Sequence, residues 1–251
     1  MLRSLYTAAT AMLTDTRRMD VISNNLTNAE TRGFRADTLV SQSFRDMLIS
    51  RLNDPNINVY AAVGPHNTGI HIDRVYTSFV QGPLEETRLS TDLALAGDGF
   101  FAVETPDGER YTRNGSFSVD ADGYLVTPAG QYVLGQNGRL RVGSGDFSVT
   151  TEGVVTVGGA QTDRLRVVSF ADNDLLRKDR DSLMFNLEPG TNPPALSSAE
   201  VRQGTLEGAN VDTARELVDM MQVYRHYELN QRVLRMVDES LGRAVNDIAR
   251  V

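Results

Sequence analysis

Two stretches at opposite ends of the chain keep the same apolar rhythm. Near the N-terminus Leu5, Met12, Met19 and Leu26 recur at seven-residue intervals, with Leu2 and Ala9 on the half-steps. Near the C-terminus Met220, Tyr227, Leu234, Leu241 and Ile248 recur in the same way, with Leu217, Tyr224 and Val245 between them. A heptad repeat marks helices that pack along a narrow seam. The two ends are therefore expected to be partner helices, and the residues between them a body that the helices carry. That is the plan of an assembly subunit rather than of an enzyme.

The N-terminal helix is expected over residues 1 to about 30, where Ala8, Ala9, Ala11, Leu13 and Met19 are good helix formers. The run Asn24–Asn28 works against it, since Asn prefers caps and turns, and Gly33 is a natural terminator. The C-terminal helix begins near Thr213, which has capping-box spacing to Glu216, with Asp212 in front of it. It extends to about Ile248, a length of about 50 Å. A helix this long needs partners beyond its own subunit to cover its seam. Gln231 and Asp238 fall on seam positions. Either Val237 takes the seam there, or the polar residues set register in a multi-helix assembly.

Between the helices the pattern changes twice. Phe44, Met47, Leu48 and Leu52 have the spacing of a short amphipathic helix. Pro55, Gly64, Pro65 and Gly69 then mark a linker. From about residue 73 the alternation becomes two-residue. Asp107-Gly108, Asp122-Gly123 and Asn137-Gly138 sit between β-rich runs, and each supplies the positive φ of a tight hairpin. The runs Val154–Val157 and Leu165–Phe170 add further strands. The expected fold class is α+β: terminal helices packed as a coiled-coil-like layer, with a central, mostly antiparallel β domain. The expected boundaries are 1–35 and 205–251 for the helical domain, 36–72 for the short helix and linker, and 73–204 for the β domain.

Composition removes several functions. The net charge is -8, which lacks the basic footprint of a nucleic-acid binder. With no cysteine, disulfides, zinc–thiolate sites and thiol nucleophiles are excluded. The opening Met-Leu-Arg-Ser-Leu-Tyr-Thr lacks the apolar core of a cleavable signal peptide, so an exported chain would use a route that reads an uncleaved N-terminus. His66 and His71 lack a convincing ligand spacing, and His226 falls within the long helix. Asp120-Ala121-Asp122-Gly123 invites a calcium-loop reading, but the frame would end at Ala129 without the required Glu. No nucleophile elbow or nucleotide loop is present. No cofactor, metal or small-molecule substrate is expected.

Residues 24–35 resemble the N-terminal signature of the flagellar rod and hook proteins, through Asn25, Leu26, Asn28, Thr31, Gly33, Phe34 and Arg35, with Thr27 in place of the usual Ala. The stretch 204–212 is similar to the family's C-terminal motif through Leu206, Glu207, Asn210, Val211 and Asp212, with Ala209 in place of the usual Ser. Residues 216–221 and 224–230 resemble its closing helix. Asp92–Val103 and Tyr111–Phe117 resemble the β core of rod and hook subunits.

The resemblance implies a structural subunit of the bacterial flagellar basal-body rod. Such subunits self-assemble into a helical tube, with both terminal helices innermost, and transmit torque from motor to hook. It implies contacts with other rod proteins and the hook protein. It also implies passage through the flagellar type III export apparatus to a site outside the inner membrane, spanning periplasm and wall. One β domain leaves no room for the second that hook proteins carry. Ser43–Leu48 and the Pro/Gly-rich stretch after it resemble the distal rod protein, in which the corresponding insertion is linked to a straight, stiff rod; the proximal rod protein or a paralogue is the alternative. Two rival readings are a wall hydrolase using carboxylates such as Asp98 and Glu104, and a secreted adhesin or scaffold, which would share the coiled ends but not the three ordered motifs.

Overall fold

The computed structural model describes residues 2–50, 62–143, 146–179, 183–187 and 194–248. The chain divides into two compact units. One holds residues 1–26, 37–76 and 213–251, and the other residues 27–36 and 77–212. The sequence boundaries differ from this division. Residues 27–35, expected with the first helix, and 205–212, expected with the second, cluster with the β unit, as does residue 36; residues 37–72, expected as a separate short helix and linker, and 73–76, expected in the β domain, cluster with the helices.

In the helical unit, α1 (Leu2–Thr27) and α2 (Thr213–Ile248) carry the two heptad runs. Strands Asp37–Ser43 and Ile70–Thr77 pair with each other, and Met47–Ser50 pairs antiparallel with Ala62–His66. Over the described part of the short helix expected at 36–53, the chain forms the strands Asp37–Ser43 and Met47–Ser50 instead. The spacing of Phe44, Met47 and Leu48 fits both periods over so few residues. Thr38, Val40, Ser41 and Ser43 tip the balance, being β-branched or poor helix formers. Residues 51–61, with Leu52 of the expected short helix and Pro55 of the expected linker, lie outside the described residues. Phe44 stacks on His71 at 4.9 Å, and Asn67 donates to the Phe44 carbonyl at 2.7 Å. His71 thus has an aromatic neighbour at the foot of this hairpin.

Asn24 and Asn25 lie inside α1 despite their propensity. Asn25 is 1% exposed; its Nδ2 donates to the Asp37 carbonyl at 2.8 Å and its Oδ1 accepts from the Asp37 N–H at 3.0 Å. A tertiary contact to the backbone overrides the local preference.

The β unit is antiparallel throughout its named pairings. Its main sheet runs, in spatial order, Leu176–Lys178, Met184–Leu187, Gly108–Thr112, Phe100–Thr105, Tyr132–Gly135, Leu125–Val126 and Ser118–Val119. All three expected hairpins form, with Gly108, Gly123 and Gly138 at positive φ. Asp120, candidate for a calcium loop, instead accepts the N–H groups of Asp122 and Tyr124 at 3.0 and 2.7 Å and closes its own turn.

The strand Phe100–Thr105 shows why this sheet is apolar on both faces. Phe101 and Val103 enter a core with Leu93, Leu125, Val133, Val155 and Val201. Phe100 and Ala102 point the other way, into a core with Tyr111, Val168, Leu176 and Phe185. Two-residue alternation sends neighbours to opposite faces, and both faces are covered.

Candidate functional site

In the helical unit, α1 and α2 touch at Asn25–Glu216 (3.1 Å) and at Asp15–Asn230 (3.2 Å), so they run antiparallel. The more buried face of α2 is Met220, Val223, Tyr227, Asn230, Leu234, Val237, Leu241 and Ala244. That series steps by four and three, as a heptad seam does. Met220, Tyr227, Leu234 and Leu241 are half-buried on this face. Val237 takes the seam position, while Gln231 and Asp238 are exposed. The half-step partners Leu217, Tyr224 and Val245 are 50%, 55% and 63% exposed, on another face of the helix. Ile248 ends α2, and its side chain lies outside the described residues.

On α1, Leu5, Met12, Met19 and Leu26 are half-buried, with Ala8, Asp15 and Ile22 as their buried half-steps in place of Ala9, which is exposed. Tyr6 and Leu13 are exposed at 57% and 63%. Met19 joins Met220, Met221 and Tyr224 around one groove, with Asp20, Ser23 and Arg225 beside them.

In the β unit, the N-terminal and C-terminal family motifs meet each other around buried charge. Thr31 closes a turn on Asn28, its N–H reaching the Asn28 carbonyl at 3.0 Å and its hydroxyl the Asn28 side chain at 3.2 Å. Gly33 follows at φ +70°, where a Cβ would stand 2.4 Å from the Asn114 nitrogen. Only glycine permits both that φ and that approach. Phe34 is fully buried with the Lys178 ammonium 4.3 Å over its ring.

Arg35 comes next, its side chain 2% exposed, and its Nη2 meets Glu207 Oε1 at 2.8 Å. Arg113 Nε lies 3.0 Å from Glu207 Oε2, with the geometry of a charge contact rather than of a hydrogen bond. Two guanidinium groups therefore share one buried carboxylate. Three further donors are met by carbonyls: Arg35 Nη1 to Val80 at 2.6 Å, and Arg113 Nη1 and Nη2 to Gly99 and Gly97 at 2.6 and 2.7 Å, while Arg35 Nε is buried without a hydrogen-bond partner. Burial pulls Arg35 below its ordinary value and Arg113 down to about 10, with Glu207 working against both shifts. Both stay charged at neutral pH.

Glu207 also accepts from Gly82 N–H at 3.0 Å, and its own carbonyl accepts from Gly33 N–H at 2.8 Å. Asn210 completes the junction. Its Nδ2 donates to Ser78 and Val80 carbonyls, both at 2.9 Å, and its Oδ1 accepts from Ala36 N–H at 2.7 Å. Leu206 is buried, Val211 half-buried and Asp212 exposed. The segment leaving α1 and the segment leading into α2 are thus bound side by side within one unit.

Arg113, Lys178, Asp15 and Asn230 were not singled out by their sequence pattern. Arg113 carried a signal, a lone Arg closing the alternating run Tyr111-Thr112-Arg113. Asp15 and Asn230 carried one as well, since each interrupts an apolar seam. Of the carboxylates weighed as catalytic, Glu104 forms a two-pronged surface pair with Arg139 at 2.7 and 3.1 Å. Among the described residues there is no metal-ligand cluster and no helix long and apolar enough to cross a membrane.

The two ends and the middle each match a flagellar family. Residues 5–35 match the family described as flagella basal body rod protein, 94–157 the flagellar hook protein FlgE/F/G D1 domain, and 202–247 the flagellar basal body rod FlgEFG protein C-terminal. The chain belongs to the flagellar basal-body rod and hook protein family. It is 31% identical to the flagellar hook-basal body complex protein FlhO of Bacillus subtilis over all of both chains. It is 30% identical to the flagellar basal-body rod protein FlgF of Caulobacter vibrioides, covering 99% of this chain and 98% of that one. It is 31% identical to the flagellar basal-body rod protein FlgG of Bacillus subtilis, covering 98% and 99%.

Proposed function

We propose that this chain is a structural subunit of the flagellar basal-body rod, which self-assembles through α1 and α2 into a helical tube and passes torque from motor to hook. The observation that carries the reading is the second set of apolar side chains on the helices. Leu217, Met221, Tyr224, Leu229, Val233, Met236 and Val245 on α2, with Tyr6 and Leu13 on α1, stay exposed beside the seam. Neighbouring subunits would cover them, each buried side chain contributing about 1.5–3 kcal/mol. Together with these exposed side chains, the proposed assembly interface includes Leu5, Met12, Met19, Leu26, Leu217, Met220, Tyr224, Tyr227, Leu234, Leu241 and Ile248.

The buried Arg35–Glu207–Arg113 junction gives the second half of the mechanism. It binds together the segments covalently continuous with the two helices. Load carried by either helix is thereby delivered to the same fully buried cluster of the β unit. Its partners are copies of itself, other rod proteins, the hook protein and, during delivery, the type III export apparatus that takes the chain beyond the inner membrane.

The segment Ser43–Leu48 and the Pro/Gly-rich stretch after it favour the distal rod. Near-equal identity to one FlgF (30%) and one FlgG (31%) supports a second reading as the proximal rod protein or a paralogue. Electron microscopy of basal bodies from a strain lacking this gene tests both. A rod that stops partway, without hook or filament, is the expected result, and the stub length separates distal from proximal. Intact basal bodies would overturn the proposal.

A further inference from the structure

Each apolar seam of the helix pair carries one strongly polar residue, and the two meet. On α1 the series Leu5, Ala8, Met12, Asp15, Met19, Ile22, Leu26 is interrupted by Asp15. On α2 the series Met220, Val223, Tyr227, Asn230, Leu234, Val237, Leu241 is interrupted by Asn230. Asn230 Nδ2 donates to Asp15 Oδ2 at 3.2 Å, and Asp15 is only 8% exposed. Nearer the other end of α1, Asn25 holds Glu216 Oε1 and the Asp37 backbone.

We propose that the Asp15–Asn230 hydrogen bond sets the register of α1 against α2, selecting one antiparallel alignment from those the apolar side chains alone would accept. A heptad repeat is degenerate by construction. Sliding one helix by seven residues, about 10 Å, lays Leu, Met, Ile and Val on near equivalents and costs little in burial. The polar pair breaks that degeneracy. A slip of one heptad puts Asp15 level with Val223 or Val237, and Asn230 level with Ala8 or Ile22. Either slip strands a carboxylate and an amide among apolar side chains without partners, which is penalised far more than an apolar mismatch. It also pulls Glu216 out of reach of Asn25.

Register matters because the outer face of the pair is composite. Met19, Asp20 and Ser23 from α1 line one groove with Met220, Met221, Tyr224 and Arg225 from α2. A shifted pair would present a different mixture to its neighbours. The inference deepens the assembly reading, and its test uses the free full-length chain, so it fails or stands apart from whether the chain builds a rod.

The absence of cysteine makes the test clean. Ser23→Cys with Met221→Cys reports the observed register, since both positions line the same groove. Ser23→Cys with Ala214→Cys or Glu228→Cys reports a slip of one heptad either way. Bridging with a short dithiol-reactive linker traps the pair even if it opens often. In the otherwise native chain the 23/221 pair should be bridged at least about tenfold faster than either slip pair. In the Asp15→Leu/Asn230→Leu variant that preference should fall to within about threefold, with helix content retained. The exchanged variant Asp15→Asn/Asn230→Asp keeps a polar rung and should keep the preference. The proposal is overturned if Asp15→Leu/Asn230→Leu keeps the tenfold preference, if it bridges none of the three pairs, or if the exchanged variant loses the preference.

Discussion

Arg35 and Glu207 lie near opposite ends of the chain, yet their side chains meet at 2.8 Å in the interior of the β unit, one 2% exposed and the other not at all. Glu207 has a second guanidinium, that of Arg113, at 3.0 Å. The carboxylate is therefore the common neighbour of two buried cations. Its removal leaves both without their nearest counter-charge, with only the weaker pull of Asp98 in its place, a far larger loss than that of a surface pair.

Glu207→Gln should lower the stability of the β unit by about 3–5 kcal/mol. Thermal unfolding followed by circular dichroism should then show a melting temperature lower by about 10 °C. The exposed pair Arg139–Glu104 is the internal control, since Arg139→Ala should shift the same transition by no more than about a degree or two. Equal effects from the two variants would refute the assignment of Glu207 as the centre of the junction.

Gly33→Ala should destabilise the β unit by about 2–4 kcal/mol, combining positive φ with a Cβ forced against backbone. The new atom would meet Asn114 N at 2.4 Å and Arg113 C at 2.6 Å, so relief requires moving Arg113 away from Glu207. Urea unfolding at constant slope is the measurement, and a shift under about 0.5 kcal/mol would contradict the close approach.

Leu234→Asp should block assembly while the β unit stays folded, because it places a carboxylate on the half-buried face of α2. Sedimentation and near-ultraviolet circular dichroism of the purified variant separate the two effects. Normal rods built from this variant would remove Leu234 from the interface.

Before assembly, amides in α1 and α2 should exchange within seconds to minutes while those of Phe100–Thr105 and Tyr132–Gly135 stay protected. Helix stability in proteins comes mainly from packing, and the helices leave much apolar surface uncovered. Hydrogen exchange with mass spectrometry on a verified monomer reads this directly, and full protection of both helices would contradict it.

Burial raises the Asp15 carboxyl above its ordinary value of 3.8, against the opposing pull of Asn230, Arg18 and His226. An acid whose folded value is raised stabilises the fold most when protonated in both states. The α1–α2 pairing should therefore be strongest below the ordinary value and weaken as pH rises through the raised one, then level off. Asp15→Asn should flatten this profile, measured as helix protection against pH. An unchanged profile would assign the dependence to another group.

Local repetition made several parts of the fold legible from the residues alone. The heptads set α1 and α2, and α2 was legible nearly to its ends because Thr213 starts it and the apolar spacing continues to Ile248. Asp-Gly and Asn-Gly placed three hairpins, since the positive φ they need is a property of single residues. The two family motifs were legible as strings. Which surfaces face each other was settled only by long-range packing. A period of 3.5 fits more than one stripe on a helix, so the half-steps fell to Val223, Asn230 and Val237 rather than to Leu217, Tyr224 and Val245. Residues 37–43 and 47–50 became strands because apolar spacing over so short a run fits either period until a partner strand supplies hydrogen bonds. The meeting of Arg35, Arg113 and Glu207 was closed to any local reading. Nothing near Glu207 in sequence says that its charge is buried, and only the packed sheet brings together the two cations that make that burial tolerable.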